Sequence, residues 1–220
     1  MVIRIEGDIV SNDLKEVYSW FGFDCTCPND VNGALAVLPE GERVNVRINS
    51  GGGDLYAGQE IYSVLRGRDD VDIEIESIAG SAASIIAMAG HCTISPVGMI
   101  MIHNVSTGVY GNRRDFEKEA DTLKQCDEAV AAAYVEKTGK TKEEVMRLMD
   151  RETWLTAEKA VEYGFVDGIT EPASGKAAAV GNLRVTPAMI KEYQDAMKAK
   201  AAREAEKQSI LDSLANYGRH

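Results

Sequence analysis

The chain has 220 residues, 45% of them hydrophobic and 27% charged, which suits a soluble α/β domain with a full buried core. Its formal net charge of −11 argues against a nucleic-acid partner, because phosphate neutralisation needs clustered Lys and Arg. There is no basic-then-apolar leader and no apolar run near the roughly 20 residues of a bilayer span, so a soluble, cytoplasmic protein with no membrane partner is expected.

Cys25, Cys27, Cys92 and Cys126 are too scattered for a disulfide framework. Cys25 and Cys27 form a C-x-C pair, but no second pair or histidine cluster completes a zinc site. Reduced thiols, with no metal and no cofactor, are expected.

In chain order, Val2 to Ile5 alternates as a short opening strand, and Ser11 is a candidate cap for a following helix with Asp13 in its first turn. Phe21 to Asn32 reads as a loop leading into a helix near Val31 to Leu38, and Pro39-Glu40-Gly41 as a turn. Arg43 to Ile48 has strict period 2 and runs into Asn49-Ser50-Gly51-Gly52-Gly53-Asp54. A helix follows from Leu55 to Arg66, then a strand from Asp72 to Ser77, a small-residue helix from Ser81 to Ala89, and a strand from Gly98 to Ile102. This alternation of strand, glycine turn and helix predicts a mostly parallel sheet.

Asn112 to Lys137 turns helical, with Phe116, Ala120, Leu123, Val130 and Tyr134 on one apolar stripe. Thr141 with Glu144 three residues on is a capping box for the next helix, and a further helix starts at Thr156 and stops at Gly164. Phe165 to Ile169 reads as a closing strand. Beyond it the composition shifts: Pro172 to Asn182 reads as a linker and Thr186 to about Asn216 as an Ala-, Lys- and Glu-rich helical tail. The chain thus divides into a domain over residues 1–170 and a tail over 171–220.

Three segments carry candidate chemistry. Gly80-Ser81-Ala82-Ala83-Ser84 resembles a nucleophile turn, in which glycine permits a tight backbone and a helix start supplies unpaired N–H groups that stabilise an oxyanion. Gly51-Gly52-Gly53 offers a second cradle of N–H groups; without a following Lys-Ser/Thr it matches neither a phosphate loop nor a dinucleotide fingerprint. His103 ends an apolar strand at the edge where open α/β sheets bind ligands. Each has a plainer use as well: close packing, a tight turn and a structural histidine.

Taken in order, Ile48-Asn49-Ser50-x-Gly52-Gly53, Gly80-x-Ala82-Ala83-Ser84 and Met101-Ile102-His103-Asn104 resemble the signature segments of the Clp protease proteolytic subunit. Asp150-Arg151-Glu152-Thr153-Trp154-Leu155-Thr156-Ala157-Glu158 and Glu162-Tyr163-Gly164-Phe165-Val166-Asp167 are also similar to that family's, so the resemblance covers roughly residues 2 to 170. It implies the Clp/crotonase-type α/β fold of repeated ββα units with a protruding handle helix over Asn112 to Lys137. It implies a serine endopeptidase with Ser84 as nucleophile, His103 as base and Glu152 as the orienting acid, Asp150 being the rival acid. The N–H groups of Gly52 and Ile85 would form the oxyanion hole, and Gly53 and Asn104 would contact the substrate. Peptide or protein substrate and a homo-oligomeric ring are the implied partners.

Four features depart from the family pattern: Glu152 where aspartate is usual, Gly51 where proline is usual, a first strand that begins at Val2 with no entrance segment, and the tail. Together they resemble the phage and prophage head-maturation branch, whose substrates are capsid and scaffold proteins inside a prohead and for which an ATPase partner is doubtful. The competing readings are a housekeeping Clp subunit working with an ATPase, an inactive ring or scaffold protein, and a crotonase-type acyl-CoA enzyme.

Overall fold

The period-2 segments build one parallel sheet because every second residue along them is Ile or Val. A computed structural model describes residues 1–171; the expected linker and helical tail lie outside the described residues. In β1 (Val2–Ile9), β3 (Val44–Gly53) and β4 (Val71–Gly80), Ile3, Ile5, Val46, Ile48, Ile73 and Ile75 are all buried. The parallel register sets Ile3 beside Val46 and Val46 beside Ile73, so the apolar side chains form continuous rows across the sheet.

The remaining strands are short: β2 (Cys25–Thr26), β5 (His91–Ile94), β6 (Met99–Ile102), β7 (Thr153–Thr156) and β8 (Gly168–Ile169). The order is β2-β1-β3-β4-β5-β8, with β6 pairing β4 beyond the end of β5 and β7 pairing β6 antiparallel. β4 therefore changes partner along its length, and β6 lies beside the Ile78–Gly80 end that leads into the small-residue helix.

The helices are α1 (Lys15–Phe21), α2 (Pro28–Ala36), α3 (Leu55–Leu65), α4 (Ala82–Ala87), α5 (Arg113–Thr138), α6 (Lys142–Asp150) and α7 (Ala157–Glu162). Local signals fix their starts. Asp54 caps α3 through Ala57 N–H at 2.8 Å, and capping boxes begin α5 at Asn112/Asp115 and α6 at Thr141/Glu144. The apolar stripe of α5 splits along its length. Val130, Ala131 and Tyr134 enter the core, whereas residues 113–125 are exposed apart from half-buried Glu119 and Leu123, so the first turns, before Glu119, protrude as the expected handle.

Several boundaries differ from expectation. Ser11 caps nothing: α1 starts at Lys15 after Leu14, with no side-chain cap. The segment expected as a loop holds the end of α1, β2 and the start of α2, which Pro28 opens at the first helical turn. The short strand β5, opening at His91, falls between the helix and the strand expected on either side of it, and β7 precedes the helix expected at Thr156. Among the described residues no helix is long and apolar enough to cross a membrane.

One ion pair ties the handle's base to the closing strand. Lys137 Nζ donates to Asp167 Oδ2 at 2.5 Å and to Gly90 O at 2.8 Å, and Cys92 N–H donates to the same carboxylate oxygen at 2.7 Å. Burial alone would raise the Asp167 carboxyl, but the Lys137 ammonium and the Cys92 N–H hold it below its ordinary 3.8. A depressed carboxylate contributes stability above its unfolded pKa and loses it as pH falls through the folded one. Asp167→Asn is therefore expected to cost about 1–2 kcal/mol near neutrality, after allowance for partial exposure. In urea melts run toward acid pH, the gap to the parent should close below the ordinary carboxylate range; a gap unchanged down to acid would contradict the assignment.

Candidate active site

The end of β3, the end of β4 and the end of β6 converge on one cavity of about 340 Å³, which Gly53, Ser81, Ala82, Ile85 and His103 line together with part of α5. The backbone is what allows the approach. Gly52 has φ +108°, and a Cβ there would fall 2.7 Å from Gly80 O and 2.7 Å from Ser81 Cβ. A Cβ on Gly53, at φ +147°, would fall 2.1 Å from Ile9 O. These two positions accept no side chain, which explains Gly52 and Gly53 in chemical terms; a Cβ on Gly51 would meet nothing within 4 Å.

Ser81 is the turn between β4 and α4. It holds φ +49° and ψ −123°, a region that costs a non-glycine residue about 1–3 kcal/mol. Its N–H donates to Met101 O at 2.9 Å, which fastens the turn to β6. Its Oγ lies 2.8 Å from His103 Nε2, and both residues are half-buried on the cavity wall. A strained strand-to-helix turn that lifts a serine hydroxyl toward an imidazole is the geometry of a nucleophile elbow.

Ser84 is placed differently. It lies inside α4 with no exposed surface, and its Oγ donates to Ser81 O at 2.6 Å and lies 2.7 Å from Tyr134 Oη. The hydroxyl that meets His103 is thus Ser81's, and the expected Ser84–His103 pair does not form. The reason is helix phase. α4 begins at Ala82, and Ala82 and Ile85, three residues apart, face the cavity, so Ser84 lies on another side of this buried helix and meets Tyr134.

The two residues expected to supply oxyanion donors, Gly52 and Ile85, are placed as follows. Gly52 N–H is committed to Ser50 Oγ at 3.1 Å, and Ser50 in turn donates to Gly7 O at 2.6 Å. Ile85 lies a helical turn beyond Ser81, inside α4. The residue that follows Ser81 is Ala82, which lines the cavity with Gly53. Of the two expected substrate contacts, Gly53 is on the wall, but Asn104 instead donates through Nδ2 to Asp150 Oδ1 at 2.9 Å.

Three carboxylates surround the histidine's end of β6. Antiparallel pairing ends with Ile102 opposite Thr153, which leaves His103 and Glu152 as the next residues beyond the paired ends of their strands. Glu152 itself has φ +49°, and its Oε1 accepts from Trp154 Nε1 at 3.1 Å. Asp150 is exposed and holds Asn104. Asp127, from α5, is buried and accepts from Val105 N–H at 2.6 Å. Burial raises its carboxyl, the Val105 N–H lowers it, the Asp150 charge raises it and His103 lowers it. Among the described residues no carboxylate hydrogen-bonds His103. Sequence reading missed Ser81 and Asp127. For Ser81 the signal was available, since it directly follows Gly80 at the strand-to-helix junction; Asp127 gave none within a charged helix.

The Clp protease family model matches residues 23–173. The chain is 30% identical over 167 residues to the ATP-dependent Clp protease proteolytic subunit 2 of Tropheryma whipplei, a match covering 71% of this chain and 92% of that protein. It is 35% identical over 135 residues to the ATP-dependent Clp protease proteolytic subunit 1 of Streptomyces avermitilis, covering 58% of this chain and only 61% of that relative's length. Among solved structures, a ClpP1 mutant from Listeria monocytogenes superposes with a TM-score of 0.63 at 22% identity, over 78% of this chain and 92% of the other, which supports the shared fold. With the family model covering well over half its length, the chain belongs to the Clp protease family.

Proposed function

We propose that the protein is a serine endopeptidase in which Ser81 is the nucleophile and His103 its base. The observation that carries this reading is the 2.8 Å contact between Ser81 Oγ and His103 Nε2 on the wall of one cavity. His103 Nε2 takes the hydroxyl proton as Oγ bonds to the peptide carbonyl carbon. The C–N bond then breaks, His103 returns the proton to the departing amine, and water hydrolyses the acyl-serine by the same route. The N–H groups of Ala82 and Gly53 are the best-placed donors for the oxyanion, each lining the cavity; losing one such donor typically costs ~3 kcal/mol of transition-state stabilisation. The α5 side of the cavity mixes apolar Leu123, Cys126 and Val130 with Glu119 and Thr122. Stoichiometric labelling by a fluorophosphonate, mapped to Ser81 by mass spectrometry, is the expected result. A label found elsewhere, or none, removes the assignment.

Glu152, which immediately precedes Thr153, the residue paired with Ile102, is the proposed orienting acid, after its side chain turns from Trp154 to the histidine. Glu152→Gln is expected to lower kcat by about 10²–10⁴-fold, as loss of an orienting carboxylate does elsewhere, and Asp150→Asn by less than about threefold. Reversal of that order transfers the role to Asp150, and indifference to both changes leaves neither as the acid.

The phage head-maturation branch is the finer reading. Gly51, Glu152 and the Ala-, Lys- and Glu-rich residues beyond Pro172 favour it over a housekeeping subunit. It carries the further proposals of a homo-oligomeric ring and of capsid or scaffold substrates met without an ATPase. Co-expression with phage capsid and scaffold proteins should give truncated products that vanish in Ser81→Ala; intact substrates in both cases argue against this branch.

A further inference from the structure

We infer that Ser84 and Tyr134 are positioning residues, a buried relay from Tyr134 Oη through Ser84 Oγ to the Ser81 carbonyl that holds the nucleophile's backbone in its positive-φ turn. The inference rests on the reading of Ser81 as nucleophile. Proton counting sets the direction of the relay. Ser84 has one hydroxyl proton and gives it to Ser81 O at 2.6 Å, a carbonyl that can only accept. The 2.7 Å contact to Tyr134 must then be filled by the phenol's proton. Burial pushes the Tyr134 phenol far above its ordinary value, outweighing the Ser84 contact, so it stays a donor throughout the working pH range.

The relay acts where the strain is. Ser81 O also receives Ser84 N–H at 2.9 Å, so one carbonyl accepts from both the backbone and the side chain of the residue three positions on. Met101 O holds the Ser81 N–H on the other side. A strained backbone persists only when its surroundings over-determine it, and these bonds do so without touching Ser81 Oγ. Tyr134 is 1% exposed and its ring packs at 5.7 Å centroid distance on Phe165, so the phenol is itself fixed. It belongs to α5, whose Leu123, Cys126 and Val130 line the cavity, and the relay therefore couples the cavity's far wall to the orientation of the nucleophile.

The test measures peptide hydrolysis and the rate of fluorophosphonate labelling in the full chain for Tyr134→Phe, Ser84→Ala and the double variant, with Ser81→Ala alongside. Tyr134→Phe keeps the ring and its packing, and decides alone if Ser84→Ala does not fold. The expected result is a roughly tenfold lower kcat in each single variant with KM within about twofold, and a parallel fall in labelling rate. The double variant should be no slower than the worse single one, because the two hydroxyls act as one unit. Folded variants with parental kcat and only a lower melting temperature overturn the inference, as do additive effects. Labelling that survives in Ser81→Ala instead overturns the underlying reading, and if Ser84→Ala then abolishes it, Ser84 is the nucleophile after all.

Discussion

Ser81→Ala is expected to lower peptide hydrolysis by at least about 10³-fold and to abolish fluorophosphonate labelling, whereas Ser84→Ala should leave a labelled, slower enzyme. The contrast follows from placement. Ser81 Oγ has an imidazole nitrogen 2.8 Å away and lines the cavity, while Ser84 Oγ has no exposed surface and spends its only proton on a backbone carbonyl. A hydroxyl in that position has neither a base to remove its proton nor a path for a peptide carbonyl to reach it. Strain supplies a second measurement. Ser81→Ala retains a Cβ at φ +49°, but Ser81→Gly removes it, so the glycine variant should be the more stable of the two inactive proteins by about 1 kcal/mol. An alanine variant as stable as the glycine one or more so would mean that the strain does not exceed the unfolded-chain entropy glycine adds, and full activity in either variant would end the case for Ser81.

The difference between Ser81 and Ser84 marks where sequence reading reaches its limit. The long strands and helices were legible because Val44 to Ile48 alternates over several residues, and because Asn112/Asp115 and Thr141/Glu144 are start signals written in local chemistry. Strands such as Cys25–Thr26, His91–Ile94 and Thr153–Thr156 span two to four residues, too few for a period, and only neighbouring strands create them. In Gly80-Ser81-Ala82-Ala83-Ser84 both serines fit a nucleophile turn, and a family pattern can be laid on either. Which hydroxyl meets His103 depends on where the strand ends and the helix begins, and that junction is set by tertiary contacts: Ser81 N–H on Met101 O, and Gly52 closing against Gly80 and Ser81. The histidine was legible because it ends a strand whose sheet edge faces the site. Its acid was less so, since Glu152 and Asp150 lie two residues apart and Asp127 is brought near by the fold alone.

Gly52→Ala is the other change expected to have a large effect, and it tests the same geometry without altering a reactive group. An alanine Cβ would fall 2.7 Å from both Gly80 O and Ser81 Cβ and 3.0 Å from Ala82 N, closer than real Cβ contacts come, and would sit at φ +108°. Backbone strain and overpacking of this kind cost about 2–5 kcal/mol together, so the urea midpoint should fall markedly. The relief available is displacement of the Ser81 turn, because the atoms in the way are backbone and a short side chain rather than a flexible terminus. Moving that turn lengthens the Ser81–His103 contact and shifts Ala82 N–H from the oxyanion's position, so surviving folded protein should label at least about 10²-fold more slowly, the scale on which an angstrom of misplacement acts. Gly51→Ala is the matched control, since a Cβ there meets nothing within 4 Å and its φ is not positive; it should label at the parental rate. If both alanines behave alike, the close approach of the glycine strand to the serine turn has no part in catalysis, and the assignment of the oxyanion donors to that junction goes with it.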